Sequence, residues 1–174
     1  MRLRRARPED AEAIERIRIR GWQAAYRHVF PAAELDAMVV DATWWVERLA
    51  HPGPAGACFV AEDDAGMLGW ATVGPSAFPD RFGELRGLYV DPDRWRHGVG
   101  RTLLTCGEDE LAETWQDAIL WTLEDNPRTR RFYEAAGWRL DGKTGSFERF
   151  GVKAPLVRYA KRLSSVANRS GSAR

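Results

Sequence analysis

The most constraining feature of this sequence is a segment in which a strand, a short loop with two glycines and the start of a helix follow one another directly. The segment reads Leu88-Tyr89-Val90-Asp91-Pro92-Asp93-Arg94-Trp95-Arg96-His97-Gly98-Val99-Gly100-Arg101. The first turn of a helix offers unpaired N–H groups and the positive end of the helix dipole, which together favour a bound anion. The two glycines allow a phosphate to approach the backbone and tolerate positive φ, and Arg96 and Arg101 add charge. The alternative is a turn whose glycines serve backbone geometry alone.

A second segment repeats the order of strand and helix further along the chain. Ala118 to Leu123 has the composition of a buried strand, and the pattern predicts a helix from Asn126 to Ala136. Asn126 suits the cap of this helix, Pro127 suits its first position, and Gly137 suits a left-handed residue after its end. In this interpretation Phe132 and Tyr133 are aromatic residues that face the core.

The rest of the chain predicts helices first and strands later. Apolar residues recur at helical spacing between Asp10 and Ala25, and two shorter helices follow around residues 31–38 and 43–49. A short initial strand, an antiparallel hairpin and two final strands complete the pattern; we predict strands at residues 3–6, 58–61, 67–73, 84–90, 138–140 and 156–160. This order indicates a mixed α/β domain built around one sheet.

The charge and composition exclude several classes of protein. The chain has 174 residues, of which 44% are hydrophobic, and its 26 basic and 25 acidic side chains give a net charge of +1. This length suits one domain, and the low net charge argues against a nucleic-acid partner. Without residues 1–7 and 164–174, 20 basic and 25 acidic residues leave a body of −5, because six arginines lie in those ends. An acidic body leaves room for a cationic substrate.

Neither a disulfide framework, a metal site nor a membrane segment is expected. Cys58 and Cys106 are the only cysteines, and His28, His51 and His97 do not have the spacing of metal ligands. The chain has no apolar stretch long enough for a signal peptide or a membrane span. These features favour a cytoplasmic protein without a metal or a membrane partner.

Together the two strand–helix segments resemble the GNAT superfamily of N-acetyltransferases. The resemblance extends from about Leu3 to Leu163 and is most specific from Glu84 to Trp138. It implies one mixed α/β domain over residues 1–163, whose mostly antiparallel central sheet is flanked by helices. It further implies that this sheet splays open between its fourth and fifth strands to hold acetyl-CoA. Residues 164–174 are polar and small and are expected to form a disordered tail.

The resemblance also implies roles for individual residues. The backbone of the loop would wrap the CoA pyrophosphate, and the fourth strand would pair with the pantetheine arm; these residues are Arg96, His97, Gly98, Val99, Gly100 and Arg101 for the loop, and Leu88, Tyr89 and Val90 for the strand. Asn126 would meet the pantetheine from the far side, and Tyr133 would be the general acid. Arg128, Arg130 and Arg131 either form a solvated helix face or contact the CoA 3′-phosphate. The family pattern has Gln or Arg where this chain has Trp95, which is expected to weaken the phosphate contacts.

The activity implied is direct transfer of an acetyl group from acetyl-CoA to a primary amine of a small molecule or peptide. Glu84 is the favoured base, directly or through water, because strand alternation would place it on the same face as Val90; a solvated Glu at the strand edge is the alternative, and Glu124 is the reserve candidate. The acceptor side is expected to include Trp22, Tyr26 and the loop 78–82, although Trp22 and Tyr26 also suit core packing. Other assignments that fit are a protein N-terminal or lysine acetyltransferase, an acyl-CoA sensor without turnover, and a nucleotide-binding protein outside this superfamily. A homodimer is compatible with the family.

Overall fold

The computed structural model describes residues 1–53, 56–77 and 81–164. Within these residues the chain forms seven strands: β1 (Arg2–Arg5), β2 (Ala57–Asp63), β3 (Gly66–Pro75), β4 (Gly83–Val90), β5 (Asp117–Leu123), β6 (Arg139–Arg149) and β7 (Val152–Arg162). It also forms five α-helices: α1 (Ala11–Ala25), α2 (Ala32–Asp36), α3 (Thr43–Ala50), α4 (Val99–Ala112) and α5 (Pro127–Ala135). The predicted mixed α/β domain is confirmed.

All the strands join one sheet in the order β1-β2-β3-β4-β5-β7-β6. Neighbouring strands are antiparallel except β4 and β5, which run parallel and pair only from Gly83 to Leu85 with Ala118 to Leu120. Beyond Leu85 and Leu120 the carboxyl ends of the two strands separate. The predicted opening between the fourth and fifth strands is therefore confirmed.

Helices cover both faces of this sheet. Leu103, Leu104 and Leu111 of α4 pack with Leu85 and Leu120 on one face, and α5 adds Tyr133 to the same core. On the other face Ile14 and Ile17 of α1 pack with Trp45 of α3 and Trp70 of β3. The opening between β4 and β5 thus connects the layer formed by α4 and α5 with the layer formed by α1 and α3.

A β-bulge at Arg86 corrects the predicted alternation along β4. Leu85 pairs with Val73 and Gly87 pairs with the adjacent residue Thr72, so Arg86 is the extra residue of β4. The bulge shifts the alternation by one, which places Glu84 on the face of Gly87 and Tyr89, opposite Val90. The expectation that Glu84 and Val90 share a face was wrong, because nothing in the sequence marks the extra residue.

The last two strands form a hairpin that is longer than predicted. Both β6 and β7 are 11 residues long, whereas the sequence predicted strands at only 138–140 and 156–160. Phe150 and Gly151 both adopt positive φ in the turn that joins them. Polar residues fill the exposed strand β6, so the hydrophobic alternation that identifies a strand is missing.

Two further expectations concern the ends and the membrane. The predicted tail lies, apart from Ser164, outside the described residues. Among the described helices, none has the length and apolar character needed to cross a bilayer.

Candidate active site

A cavity of about 920 Å³ occupies the opening between β4 and β5. Its floor is formed by β4 from Leu85 to Val90 and by β5 from Trp121 to Leu123. On one side of the sheet the walls come from the loop before α4 and from α5, and on the other side they come from the end of α1 and from Phe147 of β6. The cavity therefore crosses the sheet, and two molecules could approach one point from opposite faces.

Positive φ, which the sequence allowed at Gly98 and Gly100, occurs in the loop before α4 at Gly98 and at Arg96. Arg96 and Gly98 have φ values of +70° and +81°, and α4 begins at the next residue, Val99. A Cβ atom on Gly98 would have no neighbour within 4 Å, so the first turn of α4 is open above this residue. Gly100 lies within the helix and lines the cavity. The side chains of His97 and Val99 do not line the cavity: His97 is exposed, and Val99 is buried in the core.

Trp95 takes a structural role in place of the Gln or Arg of the family pattern. Its indole Nε1 donates a hydrogen bond of 2.9 Å to the carbonyl oxygen of Val90. The guanidinium of Arg128 stacks on the Trp95 ring, 3.5 Å from its centroid. Trp95 therefore fixes the loop to the end of β4 and positions an arginine from α5 beside it.

Arginines without acidic partners line the end of the cavity near this loop. They are Arg94, Arg96, Arg101, Arg128 and Arg131, and none of them forms an ion pair with any described carboxylate. Burial, with the nearby charge of Arg96, lowers the pKa of Arg128. Arg130 instead donates to the Tyr159 hydroxyl and to the carbonyl oxygen of Glu124. This concentration of positive charge fits a polyanion such as the phosphates of CoA.

Asn126 and Tyr133 form the opposite wall. The Asn126 side chain accepts a hydrogen bond of 3.2 Å from the Thr129 backbone and so caps α5, as predicted. Tyr133 lies two helical turns later and is 7% exposed, yet it lines the cavity. Burial raises the pKa of its hydroxyl above the usual range for tyrosine. Tyr133 is protonated at neutral pH, as a tyrosine of ordinary pKa also is, and so has a proton to donate.

Trp22 and Tyr26 line the cavity on the α1 side and also pack in the core. The Trp22 ring stacks on Phe30 at 5.6 Å, and its Nε1 donates to the Tyr89 hydroxyl over 3.1 Å. Burial raises the pKa of Tyr26, and a hydrogen bond from Asn126 opposes the rise. Trp22 and Tyr26 therefore pack in the core and also line the cavity. Phe78, Pro79 and Asp80 of the predicted acceptor loop lie outside the described residues.

Glu84 and Glu124 lie in different surroundings, and neither side chain lines the cavity. Glu84 is half-buried, and its Oε2 accepts a hydrogen bond of 3.4 Å from the Ala77 backbone. Burial raises the pKa of the Glu84 carboxyl, while the Ala77 bond and the charges of Arg86 and Arg158 oppose the rise. Glu124 is exposed. Glu84 is thus the more buried of the two candidate bases.

Some residues line the cavity although no pattern in the sequence marks them. His28 lies at the α1 side of the cavity, with its Nε2 2.7 Å from the carbonyl oxygen of Asp125, which is 97 positions away. Trp121 faces the same cavity from β5. Only the fold brings such distant residues together. Within the described part of the chain no three His, Cys, Asp or Glu side chains form a metal-binding group.

Comparison with known proteins gives one family. The family model described as "Acetyltransferase (GNAT) family" matches residues 17–138. "Probable N-acetyltransferase Rv2775" of Mycobacterium tuberculosis is 30% identical over 165 residues, which cover 91% of this chain and 92% of that protein.

Solved structures agree in fold. An N-acetyltransferase from Staphylococcus aureus superposes with a TM-score of 0.71 at 20% identity, over 94% of this chain and 98% of that one. The PaiA N-acetyltransferase of Thermoplasma acidophilum, solved in complex with coenzyme A, superposes with a TM-score of 0.72 at 16% identity, over 92% and 98%. With the opened sheet, the loop before α4 and the match of the family model, this chain belongs to the GNAT acetyltransferase family.

Proposed function

We propose that this protein transfers an acetyl group from acetyl-CoA directly to a primary amine of a small molecule or peptide. The observation that carries the proposal is the cavity that crosses the sheet between β4 and β5, with unpaired arginines at one end and Tyr133 inside. Membership of an acetyltransferase family supports the donor and the reaction type. The acceptor is the part that we infer.

Three parts of the chain are suited to hold acetyl-CoA, which supplies the acetyl group as a thioester. The N–H groups of the loop from Arg96 to Arg101 would bind the pyrophosphate, as the open first turn of α4 and the nearby arginines suggest. On its side facing β5, β4 from Leu88 to Val90 has no partner strand in the described residues, although β3 pairs with its other side. The backbone groups on the β5 side would therefore pair with the pantetheine amides. Asn126 would contact the same arm from α5.

Tyr133 and Glu84 are suited to the two proton movements of the reaction. A primary alkylamine has a pKa near 10.4, so only about one molecule in 2,500 is neutral at pH 7. Glu84 would remove the amine proton through a water molecule, because its carboxylate lies beside β4 and outside the cavity wall. As the C–N bond forms and the C–S bond breaks, Tyr133 would give its proton to the departing sulfur. A backbone N–H near Val90 would stabilise the negative oxygen.

The cellular setting and assembly stay predictions. A cytoplasmic location is supported by Cys58 and Cys106, which are both free thiols. The possibility of a homodimer rests on the family resemblance. Peptide N-termini and lysine side chains belong among the amines to be tested.

The test has two stages. Thermal unfolding is followed with acetyl-CoA, CoA and ATP, and we expect both CoA species, but not ATP, to raise the midpoint. A panel of amines is then assayed with acetyl-CoA by release of free thiol, with confirmation of the acetylated amine by mass spectrometry. Stabilisation by neither CoA species, or release of thiol without an acetylated amine, would refute the proposal.

A further inference from the structure

A second cavity, of about 490 Å³, lies on the α1 side of the sheet. It is enclosed by α3, by the strands β2 to β4 and by the chain that leads to β2. Arg86, Gly87 and Tyr89 of β4 line this cavity and also line the one between β4 and β5. The two cavities therefore meet along β4 between the bulge at Arg86 and Tyr89, next to Val90, near which the thioester would lie in the proposed function. A volume of this size suits a small molecule.

Aromatic rings form a continuous wall from the surface to this meeting point. Trp44 is 61% exposed at the rim, and Trp45, Trp70 and Tyr89 follow with centroid separations of 4.8, 4.9 and 4.7 Å. The indole N–H of Trp45 donates to Glu15, and that of Trp70 donates to the carbonyl oxygen of Ile14. With these N–H groups bonded to α1, the rings offer the cavity an apolar surface that suits a hydrophobic body.

The charged residues of the cavity are arginines. Arg5, Arg18, Arg48 and Arg86 line it, and no described aspartate or glutamate does. Glu110 neutralises Arg5, and Glu15 neutralises Arg18. Arg48 and Arg86 have no carboxylate partner within the described residues, and the only described hydrogen bond of Arg86 goes to the carbonyl oxygen of Pro75. Two guanidinium groups beside an apolar wall thus lack an ion-pair partner in the described part of the chain, although Glu84 acts on Arg86 through a Coulomb interaction.

The guanidinium groups of Arg48 and Arg86 both lie close to the backbone of neighbouring segments. The Arg48 guanidinium lies against the chain before β2, where a Cβ atom on Gly56 would be only 3.1 Å from it. The Arg86 guanidinium crosses β3 at Gly74, where a Cβ atom would also be 3.1 Å away. The face of β4 that carries Glu84 is turned toward the same side, and Ala77, its hydrogen-bond partner, lines the cavity. The candidate base and the two arginines therefore lie on the same side of the sheet, at or beside the second cavity.

From this arrangement we infer that the second cavity binds the acetyl acceptor, and that the acceptor is an amino acid with an apolar or aromatic side chain. The inference rests on the proposed function and adds the substrate class. The carboxylate would bind Arg48 and Arg86, because the guanidinium fork matches the two carboxylate oxygens. The side chain would lie on the tryptophans, and the amine would point to the meeting point of the two cavities. Polyamines would be repelled, although the acidic body of the chain suggested a cationic acceptor.

The test measures binding and turnover separately. The CoA-loaded protein is titrated with L-phenylalanine, L-leucine and L-methionine, and in parallel with the amines that lack only their carboxylates: phenethylamine, isoamylamine and 3-(methylthio)propylamine. Tryptophan fluorescence reports binding, since Trp44, Trp45 and Trp70 line the cavity. We expect at least one amino acid to bind about tenfold or more tightly than its matched amine. If no amino acid binds more tightly than its matched amine, the inference is wrong.

Variants then locate the carboxylate. Arg48→Gln and Arg86→Gln should each weaken amino acid binding about tenfold without weakening matched-amine binding. Arg16→Gln is the control, because Arg16 pairs with Glu12 on the exposed side of α1 and lines neither cavity. Acetyl-CoA affinity and the unfolding midpoint are measured for every variant, and Arg48, far from the loop before α4, keeps the test valid if Arg86→Gln fails to fold. Equal loss in Arg16→Gln would overturn the inference.

The transfer reaction and the amino acid acceptor can be refuted separately. Arginine-dependent amino acid binding without thiol release from acetyl-CoA would refute the transfer reaction and leave the carboxylate site standing. Thiol release that is as fast with phenethylamine or spermidine as with the best amino acid would confirm transfer and refute the amino acid acceptor.

Discussion

Tyr133 belongs to the core and to the cavity at once. It packs against Phe132 and Trp138 and also lines the cavity, and no described residue hydrogen-bonds its hydroxyl. From sequence alone the aromatic pair on α5 could be assigned to the core with equal justification. The family resemblance, rather than the helical pattern, indicated the chemical role.

Removal of the Tyr133 hydroxyl should reduce the rate of acetyl transfer without affecting the binding of acetyl-CoA. We expect Tyr133→Phe to lower kcat about tenfold to a hundredfold, because general acids contribute at least this much, and to leave acetyl-CoA affinity nearly unchanged. Steady-state thiol release and calorimetric binding measure the two quantities. Tyr159→Phe is the matched control, since that hydroxyl donates to Glu134 outside the cavity over 2.6 Å. Unchanged kcat in Tyr133→Phe would exclude it as the acid.

Glu84 should give the pH profile of the reaction an acid limb, that is, a fall in rate at low pH. Because burial raises its pKa above the ordinary 4.5, Glu84 is protonated at low pH and can accept a proton only above that raised pKa. We therefore expect kcat/KM to fall as pH decreases, with a midpoint above 4.5. In Glu84→Gln this limb should disappear together with most of the activity. Glu124→Gln, an exposed control, should keep the wild-type profile; a profile for Glu84→Gln that retains the limb would exclude Glu84.

At the level of elements, the loop before α4 depends on one glycine more than on the other. Gly98 has a φ of +81°, which an alanine adopts at a cost of about 1–2 kcal/mol. Gly100 is helical, and a Cβ atom there would make ordinary contacts at 3.5 Å with Phe132 and 3.6 Å with Val90. The sequence presented the two glycines as equivalent, and only the backbone geometry separates them.

Alanine substitutions should separate them experimentally. Gly98→Ala should lower the free energy of unfolding by about 1–2 kcal/mol and raise KM for acetyl-CoA, because the loop must deform. Gly100→Ala should be neutral or stabilising by up to about 1 kcal/mol, as for other helical glycines. Urea unfolding gives both values. An equal loss of stability in the two variants would contradict the role assigned to Gly98.

The strand β4 shows where prediction from sequence stops. Its limits, Gly83–Val90, agree closely with the predicted 84–90, because apolar residues and the following Asp91-Pro92 mark the strand and its end. The bulge at Arg86 has no such mark, since it arises from pairing with β3. One extra residue reversed the predicted face of Glu84 and turned Arg86 toward the second cavity.

For the whole molecule, the order of elements was predictable and the second cavity was not. Each tryptophan by itself suits a core as well as a binding surface, so no pattern in the sequence marks Trp44, Trp45 and Trp70 as cavity residues. Trp45 and Trp70 do pack in the core, and all three also line one cavity, which α3 and β3 form together. Cavities built from distant elements depend on tertiary contacts that no local pattern records.

Net charge describes this protein poorly, and the salt dependence of its kinetics should reveal the local charges. Although the chain carries only +1, five unpaired arginines meet at the donor end of the cavity. Charges at partly exposed sites are screened over about 10 Å at 0.1 M salt, so we expect KM for acetyl-CoA to rise several-fold between about 0.05 and 0.5 M potassium chloride. The unfolding midpoint, measured in parallel, separates this effect from loss of structure.

Two neighbouring arginines of α5 make the salt experiment specific. Arg128→Gln should raise KM for acetyl-CoA at low salt and reduce its salt dependence, because Arg128 lines the cavity beside Arg96. Arg130→Gln removes the same charge from the same helix, but this side chain bonds to Tyr159 and Glu124 outside the cavity. It should therefore change stability more than KM. If both variants shift the salt dependence equally, the effect comes from the overall charge of the protein, and the assignment of the arginine cluster to the donor phosphates is wrong.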